Sequence, residues 1–329
     1  MSPANDSTWR MANKMNLSCH LIVLPAALGG LLRRIENSEQ TMLAKWKLGR
    51  ILGIVGVPLL IAGCASAPLK QAGSLSSYAG LDQADGVMAK SKIRLNKDVV
   101  LAAKTVRVVP TVFAEDARID TISDDQRKLV ANAIDRSLCI GLSERLEVVS
   151  ASQPADLTVH AMVTHMDPTD EKAVAASLGA KVAKTVLLPG IPAPVPRIPV
   201  GLGTLSMEAE ARSSGGEQAA AMVWGRGANM LMGSARVSPA GDAYELASAF
   251  GDDFSEMLVK GKSPYGSMSG PMSMDRIQSL AGGAPKYAAC DAFGRAPGVA
   301  GVISGAVGTP PEWTDKGGAD ATVATAAAR

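Results

Sequence analysis

The stretch Leu205-Ser206-Met207-Glu208-Ala209-Glu210-Ala211-Arg212 decides the reading of this chain, because apolar and polar residues alternate along it with a period of two. A strand sends successive side chains to opposite faces. Leu205, Met207, Ala209 and Ala211 therefore belong to one face, and Ser206, Glu208, Glu210 and Arg212 to the other. Gly215-Gly216 follows as a hairpin turn, and Gln218–Arg226 returns as the partner strand. Upstream, Asp156–Met166 sets Leu157, Val159, Ala161, Val163 and His165 against Thr158, His160, Met162, Thr164 and Met166. Leu146–Ser150 reads as a short strand. Thr105–Ala114 reads as another, in which Pro110 cannot donate to a ladder and marks an edge or a bulge.

Two amphipathic helices accompany these strands. Ser123 and Gln126 form a capping box, and Asp124 and Asp125 sit in the first turn, where the helix dipole favours negative charge. Leu129, Val130, Ala133, Ile134, Leu138 and Leu142 then make one apolar stripe. Asp242–Lys260 carries Leu246, Ala247, Phe250, Phe254, Met257 and Leu258 on a second. The order strand, helix, strand, strand pair, helix implies an α+β fold, a mainly antiparallel sheet with two amphipathic helices on one face, in a two-layer sandwich. This domain is expected over residues 98–260. Residues 261–329 are rich in Gly, Pro, Ser and Ala and are expected to form a largely irregular tail.

The N-terminal third is different in kind. From Met42, three positive charges (Lys45, Lys47, Arg50) precede an apolar run from Ile51 to Ala62. Twelve helical residues reach only about 18 Å, short of the roughly 30 Å hydrocarbon core of a bilayer, so the core of a signal peptide fits better than a span. The run ends Leu60-Ile61-Ala62-Gly63-Cys64, an aliphatic residue and two small residues before a cysteine. This resembles a lipobox, with cleavage between Gly63 and Cys64 and acyl chains, palmitate among them, on the Cys64 thiol. Two or three such chains give stable anchoring at about 0.8 kcal/mol per buried methylene. Ala65, rather than Asp, follows the cysteine, and the resemblance to Gram-negative lipoproteins implies export to the outer membrane with the protein facing the periplasm. Residues 42–63 are thus expected as signal peptide and 64–97 as lipidated tether and linker. A leader of some 50 charged and mixed residues would be abnormal, so residues 1–41 are expected to be a mis-assigned extension, with Met42 the start. A second apolar element at Leu21–Leu32 is the alternative.

Several segments resemble a family of bacterial lipoproteins, the domain of unknown function 3313. They are Leu75-Ser76-Ser77-Tyr78-Ala79-Gly80-Leu81, Ala155-Asp156-Leu157 leading to His165-Met166-Asp167-Pro168, the Met207–Trp224 hairpin, and Asp242-Ala243-Tyr244 with Phe250-Gly251-Asp252-Asp253-Phe254. The resemblance covers roughly residues 64–260. Its motifs are structural, and it carries over no catalytic residue.

Composition sets further bounds. The chain has 329 residues and a net charge of +2, which gives no reason to expect nucleic acid, and 4% aromatics, which weighs against stacking sites. His160 and His165 are five apart on a strand, so their side chains should point to opposite faces and could not clamp one metal ion without a bulge. Cys139 and Cys290 are free to pair in an oxidising compartment, or to stay as buried thiols. Asp252, Asp253 and Glu256 are expected on the solvated side of the last helix. Val174–Leu188 reads as a small-residue helix, continued by Pro189–Leu202 with five prolines. This element and Gly298–Gly308, with its Gly301/Gly305 spacing, would either pack inside, rest on the membrane surface or dock a partner. No catalytic, cofactor-binding or metal-binding residues are expected. The sequence reads as an outer-membrane-anchored lipoprotein, a non-catalytic binding or accessory component with an envelope protein partner. The alternatives are a periplasmic hydrolase using His165/Asp167 and a self-assembling membrane-associated subunit.

Overall fold

A computed structural model describes residues 67–187, 195–230, 235–266 and 271–318, all within the compact unit Cys64–Arg329. The expected extension 1–41, the expected signal peptide 42–63, the expected cleavage site Gly63/Cys64 and part of the proline-rich run lie outside the described residues. Eight strands form one sheet: β1 Asp82–Gln83, β2 Lys90–Leu95, β3 Thr105–Val108, β4 Val112–Phe113, β5 Glu147–Val148, β6 Leu157–Asp167, β7 Thr204–Ser213 and β8 Gln218–Gly227. Their order is β1-β2-β8-β7-β6-β3-β5, with β4 also on β6. Among the described residues the helices are α1 Lys97–Ala102, α2 Asp124–Leu142, α3 Glu171–Leu187, α4 Gly241–Lys260, α5 Met274–Leu280 and α6 Gly298–Val307.

The fold is α+β, and its open sheet is mixed but mostly antiparallel. The β7–β8 hairpin pairs as its alternation requires, with Met207 opposite Trp224 and Glu208 opposite Val223. Three ladders, β3–β5, β3–β6 and β4–β6, are parallel. The chain leaves β3 and returns to β5 through α2, and a helical crossover of this kind lets neighbouring strands run the same way. Thr105–Ala114 is two strands rather than one. Pro110 interrupts the ladder, and Thr111 turns inward onto Asp135 of α2.

α2 and α4 share one core with the inward residues of β6, β7 and β8: Leu138, Leu142, Phe250, Phe254, Leu157, Met207 and Trp224 are all fully buried. The Ser123–Gln126 capping box opens α2 as expected. The two helices touch through glycine. A methyl group at Gly251 would collide with Ser137, and one at Gly141 with Ser255.

Two boundaries need correction. Residues 64–97 were expected to be tether and linker, yet from Ala67 onward they belong to the domain. Leu75 packs on Ala221 and Val223, and β1 and β2 extend the sheet beyond β8. Composition hid this, because a segment with few apolar residues can still dock through hydrogen bonds. The tail was expected to be largely irregular, yet up to Gly318 it carries α5, α6 and two 3-10 turns, Ala288–Phe293 and Pro311–Trp313. A disulfide joins Cys290 to Cys139 of α2, with their Cα atoms 5.7 Å apart. Asp315, itself buried, pairs with Arg136 and accepts from the Tyr244 hydroxyl at 2.7 Å. A covalent bond and a buried ion pair hold what few apolar side chains would not.

Asp135 makes the core sensitive to pH. Burial pushes its carboxyl up to about 7, against the bonds from Thr111 that favour the ionised form. The folded chain therefore keeps a proton that the unfolded chain releases near pH 4. Stability from this group is present at low pH and is lost as pH rises from about 4 through 7. Asp135→Asn keeps an acceptor for Thr111 and removes the titration. The melting temperature of the variant relative to the native chain should climb between about pH 4 and 7 and level off above that; a constant difference from pH 4 to 8 would refute the assignment.

Candidate functional site

The outward face of the central strands is where the polar chemistry collects. On β7, Ser206, Glu208 and Glu210 point away from the helices, yet both carboxylates are buried, 0% and 1% exposed. Residues 67–81 cover them, forming a strap that runs along β7. Pro68 carbonyl accepts from Ser206 Oγ at 2.6 Å. Glu208 accepts from the backbone N–H groups of Ala72 and Ser74, both at 3.2 Å, from Ser74 Oγ at 2.5 Å and from the Tyr78 hydroxyl at 2.7 Å. Glu210 accepts from Ser76 N at 2.8 Å, Ser76 Oγ at 2.6 Å and Gln218 Nε2 at 2.8 Å, and is paired with Arg212.

A buried carboxylate is costly unless its lone pairs are filled, and backbone and hydroxyl donors fill them here. Burial alone would raise Glu210. Ser76, Gln218 and Arg212 outweigh it and hold the carboxyl below its usual range. Tyr78 is raised by burial and by its bond to Glu208, which favours the neutral hydroxyl that donates. The residues Leu75–Leu81, singled out as a motif, are thus the second half of the strap that closes over two acids. Sequence reasoning had placed Glu208 and Glu210 only on the polar face of a hairpin. The available signal was a serine-rich segment upstream of a Glu-Ala-Glu strand, two partners that only the fold brings together.

The histidines are rearranged by a bulge. His160 lies opposite Glu210 and His165 opposite Ser206, with a register shift between Val163 and His165. The extra residue, Thr164, reverses the alternation, so His165 joins His160 on the outward face while Met166 enters the core. The expectation of opposite faces is therefore corrected. Even so, Ser206 and Glu210 are four strand residues apart, roughly 13 Å, so their histidine partners do not share an ion.

His165 Nε2 meets Asp167 Oδ2 at 3.1 Å, as a base and its orienting acid would. Thr204 Oγ1, however, donates to the same Asp167 oxygen at 2.6 Å. A nucleophilic hydroxyl must hand its proton to the imidazole, and this one is turned to the acid. Asp252, Asp253 and Glu256 are not a free charged face. Asp253 accepts from Trp224 Nε1 at 2.8 Å and Tyr265 OH at 3.1 Å, and Asp252 and Glu256 pair with Arg276 and Lys260. Burial raises the carboxyls of both aspartates.

Beyond the strap, toward the Ser213–Gly216 turn, the same face opens into a shallow groove of about 580 Å³ lined by Arg107, Pro110, Thr158, His160 and Arg212. Desolvation, with help from Arg212 and Arg107, lowers the His160 pKa, so the imidazole is neutral near pH 7. Arg107 is held by the carbonyls of Ala151 and Gln153 and by Thr158 Oγ1. No helix among the described residues is long and apolar enough to cross a membrane.

The family described as "Protein of unknown function (DUF3313)" matches residues 70–254, which take in the strap from Lys70 onward, the whole sheet and most of α4. Among solved structures, the PelC dodecamer from Paraburkholderia phytofirmans is similar at 10% identity and a TM-score of 0.32, over 52% of this chain and 98% of that one. A point variant of the same dodecamer gives 12% identity and a TM-score of 0.31, with the same coverage. No curated protein matches the chain.

Proposed function

The chain belongs to the DUF3313 family of proteins of unknown function, and from that premise we propose that it is an outer-membrane lipoprotein, anchored through acylated Cys64, whose domain binds an envelope protein in the periplasm without catalysing a reaction. The observation that carries this reading is the strap. Pro68 is bonded to Ser206, and Glu208 takes four hydrogen bonds from residues 72–78. Three residues separate Cys64 from Pro68, so a lipid on Cys64 would hold the sheet within about 15 Å of the bilayer surface. A segment meant only as a flexible leash has no use for two buried carboxylates. The Cys139–Cys290 disulfide supports an oxidising compartment. The groove at Arg107, His160 and Arg212 lies toward the far end of the sheet from Pro68, so on this reading it faces the periplasm and its proteins.

Cells fed a labelled palmitate analogue test the anchor. The native chain should take up label and travel with outer membranes. Cys64→Ser should take up none and accumulate with its leader uncleaved. Label on the Cys64→Ser chain would remove the anchor. Photo-crosslinking in living cells from Thr158, in the groove, tests the partner, and capture of no protein at that position would remove that part of the reading.

A further inference from the structure

Helix α6 is packed inside out. Its small residues Gly298, Gly301, Ser304 and Gly305 are buried, and its branched side chains are turned to solvent: Val299, Val302, Ile303 and Val307 are 69%, 73%, 59% and 59% exposed. They recur at helical spacing and form one stripe with no polar residue in it. A helix that served only the core would bury its bulky face. Beside it, the C-terminal half of α3 exposes Val182 and Val186, 63% and 70%. The two helices touch. Lys181 Nζ donates to Ala306 carbonyl at 3.1 Å, and a side chain at Gly308 would meet Leu178. Nine of the seventeen large exposed apolar side chains among the described residues lie on α3, on α6 or in residues 195–203. A contiguous patch of this kind is a contact surface rather than scatter.

The patch also has a fixed place. α3 lies in the connection from the end of β6 at Asp167 to the start of β7 at Thr204, and α6 is tied to the same end, with Val237 N bonded to Gly308 carbonyl ahead of α4. Pro68 leaves the sheet at Ser206, two residues from that end. α3 carries Lys172, Lys181 and Lys184 against one acid, Glu171, and α6 carries no charge. Branched apolar side chains flanked by lysines match a membrane surface with anionic headgroups.

We propose that the exposed apolar faces of α3 and α6 insert into the headgroup region of the leaflet that holds the Cys64 lipid, so that the domain lies on the membrane in one orientation. This rests on the anchor reading above, since the short reach from Cys64 to Pro68 is what brings these helices to a bilayer. Because Cys64 is acylated on that reading and Cys139 is bonded to Cys290, a single introduced cysteine can carry an environment-sensitive dye. Val302→Cys, Val186→Cys and Glu217→Cys place it on α6, on α3 and at the hairpin at the opposite end of the sheet. The lipidated protein is reconstituted into phosphatidylethanolamine–phosphatidylglycerol vesicles, with and without brominated acyl chains. Emission from positions 302 and 186 should fall at least twofold with bromolipid, and emission from 217 should not change. Equal, unquenched emission at all three positions, with protein present in the vesicles, overturns the patch and leaves the anchor standing. A dye shielded from aqueous iodide but not quenched by bromolipid shows a protein or a second copy on the patch, and overturns it equally. No labelled fatty acid on Cys64 overturns the anchor, and the patch proposal with it.

Discussion

Glu208→Ala is expected to open the strap while leaving the sheet and the helical core folded. The substitution removes four hydrogen bonds to a buried carboxylate, from Ala72 N, Ser74 N, Ser74 Oγ and Tyr78 OH. Hydrogen bonds to a charged acceptor are worth roughly 1.5–3 kcal/mol each. Their full sum is not reached, because the freed donors regain water once residues 72–78 lift away. The loss is therefore limited to the local opening free energy, on the order of 3–5 kcal/mol. Amide exchange at Ala72 and Ser74 should accelerate at least a hundredfold, and a protease should cut within 69–78. Amides of β6 and α2 should keep most of their protection. Glu208→Gln retains one acceptor oxygen and should fall between. Unchanged exchange at Ala72 and Ser74 in Glu208→Ala would show that the strap is held by its apolar contacts, Leu75 on Ala221 and Val223. Acid should act in the same direction. Glu210 is held below its usual range, so its contribution is present above about pH 4.3, the value in the unfolded chain, and is lost as pH falls through the depressed folded value.

The second large effect is expected at the disulfide. Cys139 and Cys290 close a loop spanning 151 residues, and the chain-entropy argument puts the stabilisation at up to about 5 kcal/mol. For a domain of this size, that corresponds to a fall in melting temperature of about 10–15 °C on reduction, or in the Cys139→Ala/Cys290→Ala double variant. The buried Arg136–Asp315 pair and the Tyr244–Asp315 bond remain, so residues 271–318 should loosen first around Ala288–Phe293 and last around Asp315. Coincident melting curves with and without reductant would show that the ion pair alone holds the segment.

These expectations differ in how far a reader of the sequence could have reached them. The strands β6, β7 and β8 and the helices α2 and α4 were legible because each carries its own period. Alternation or a stripe at helical spacing already says which side chains must be buried together. The pairing of Cys139 with Cys290 was open, since two thiols state only that a bond is possible. The bulge at Thr164 was not legible. Nothing in Thr158–Asp167 distinguishes a strand of one register from a strand with one residue extra, and that single residue decides which face His165 occupies.

The strap shows most clearly where local reading ends. Leu75–Leu81 has too few apolar residues to announce burial, and Glu208 and Glu210 look like solvated charges on any single strand. They become a buried clamp only because residues some 130 apart in the chain are brought face to face, each filling the other's hydrogen bonds. By itself the sequence determined the strands β6, β7 and β8, the helices α2 and α4, the α+β class and the family, because each of these is written in composition or in a short period. The covered acids, the orientation of His165 and the outward apolar face of α6 were decided by tertiary structure alone, because burial is a property of what comes to lie across from a residue.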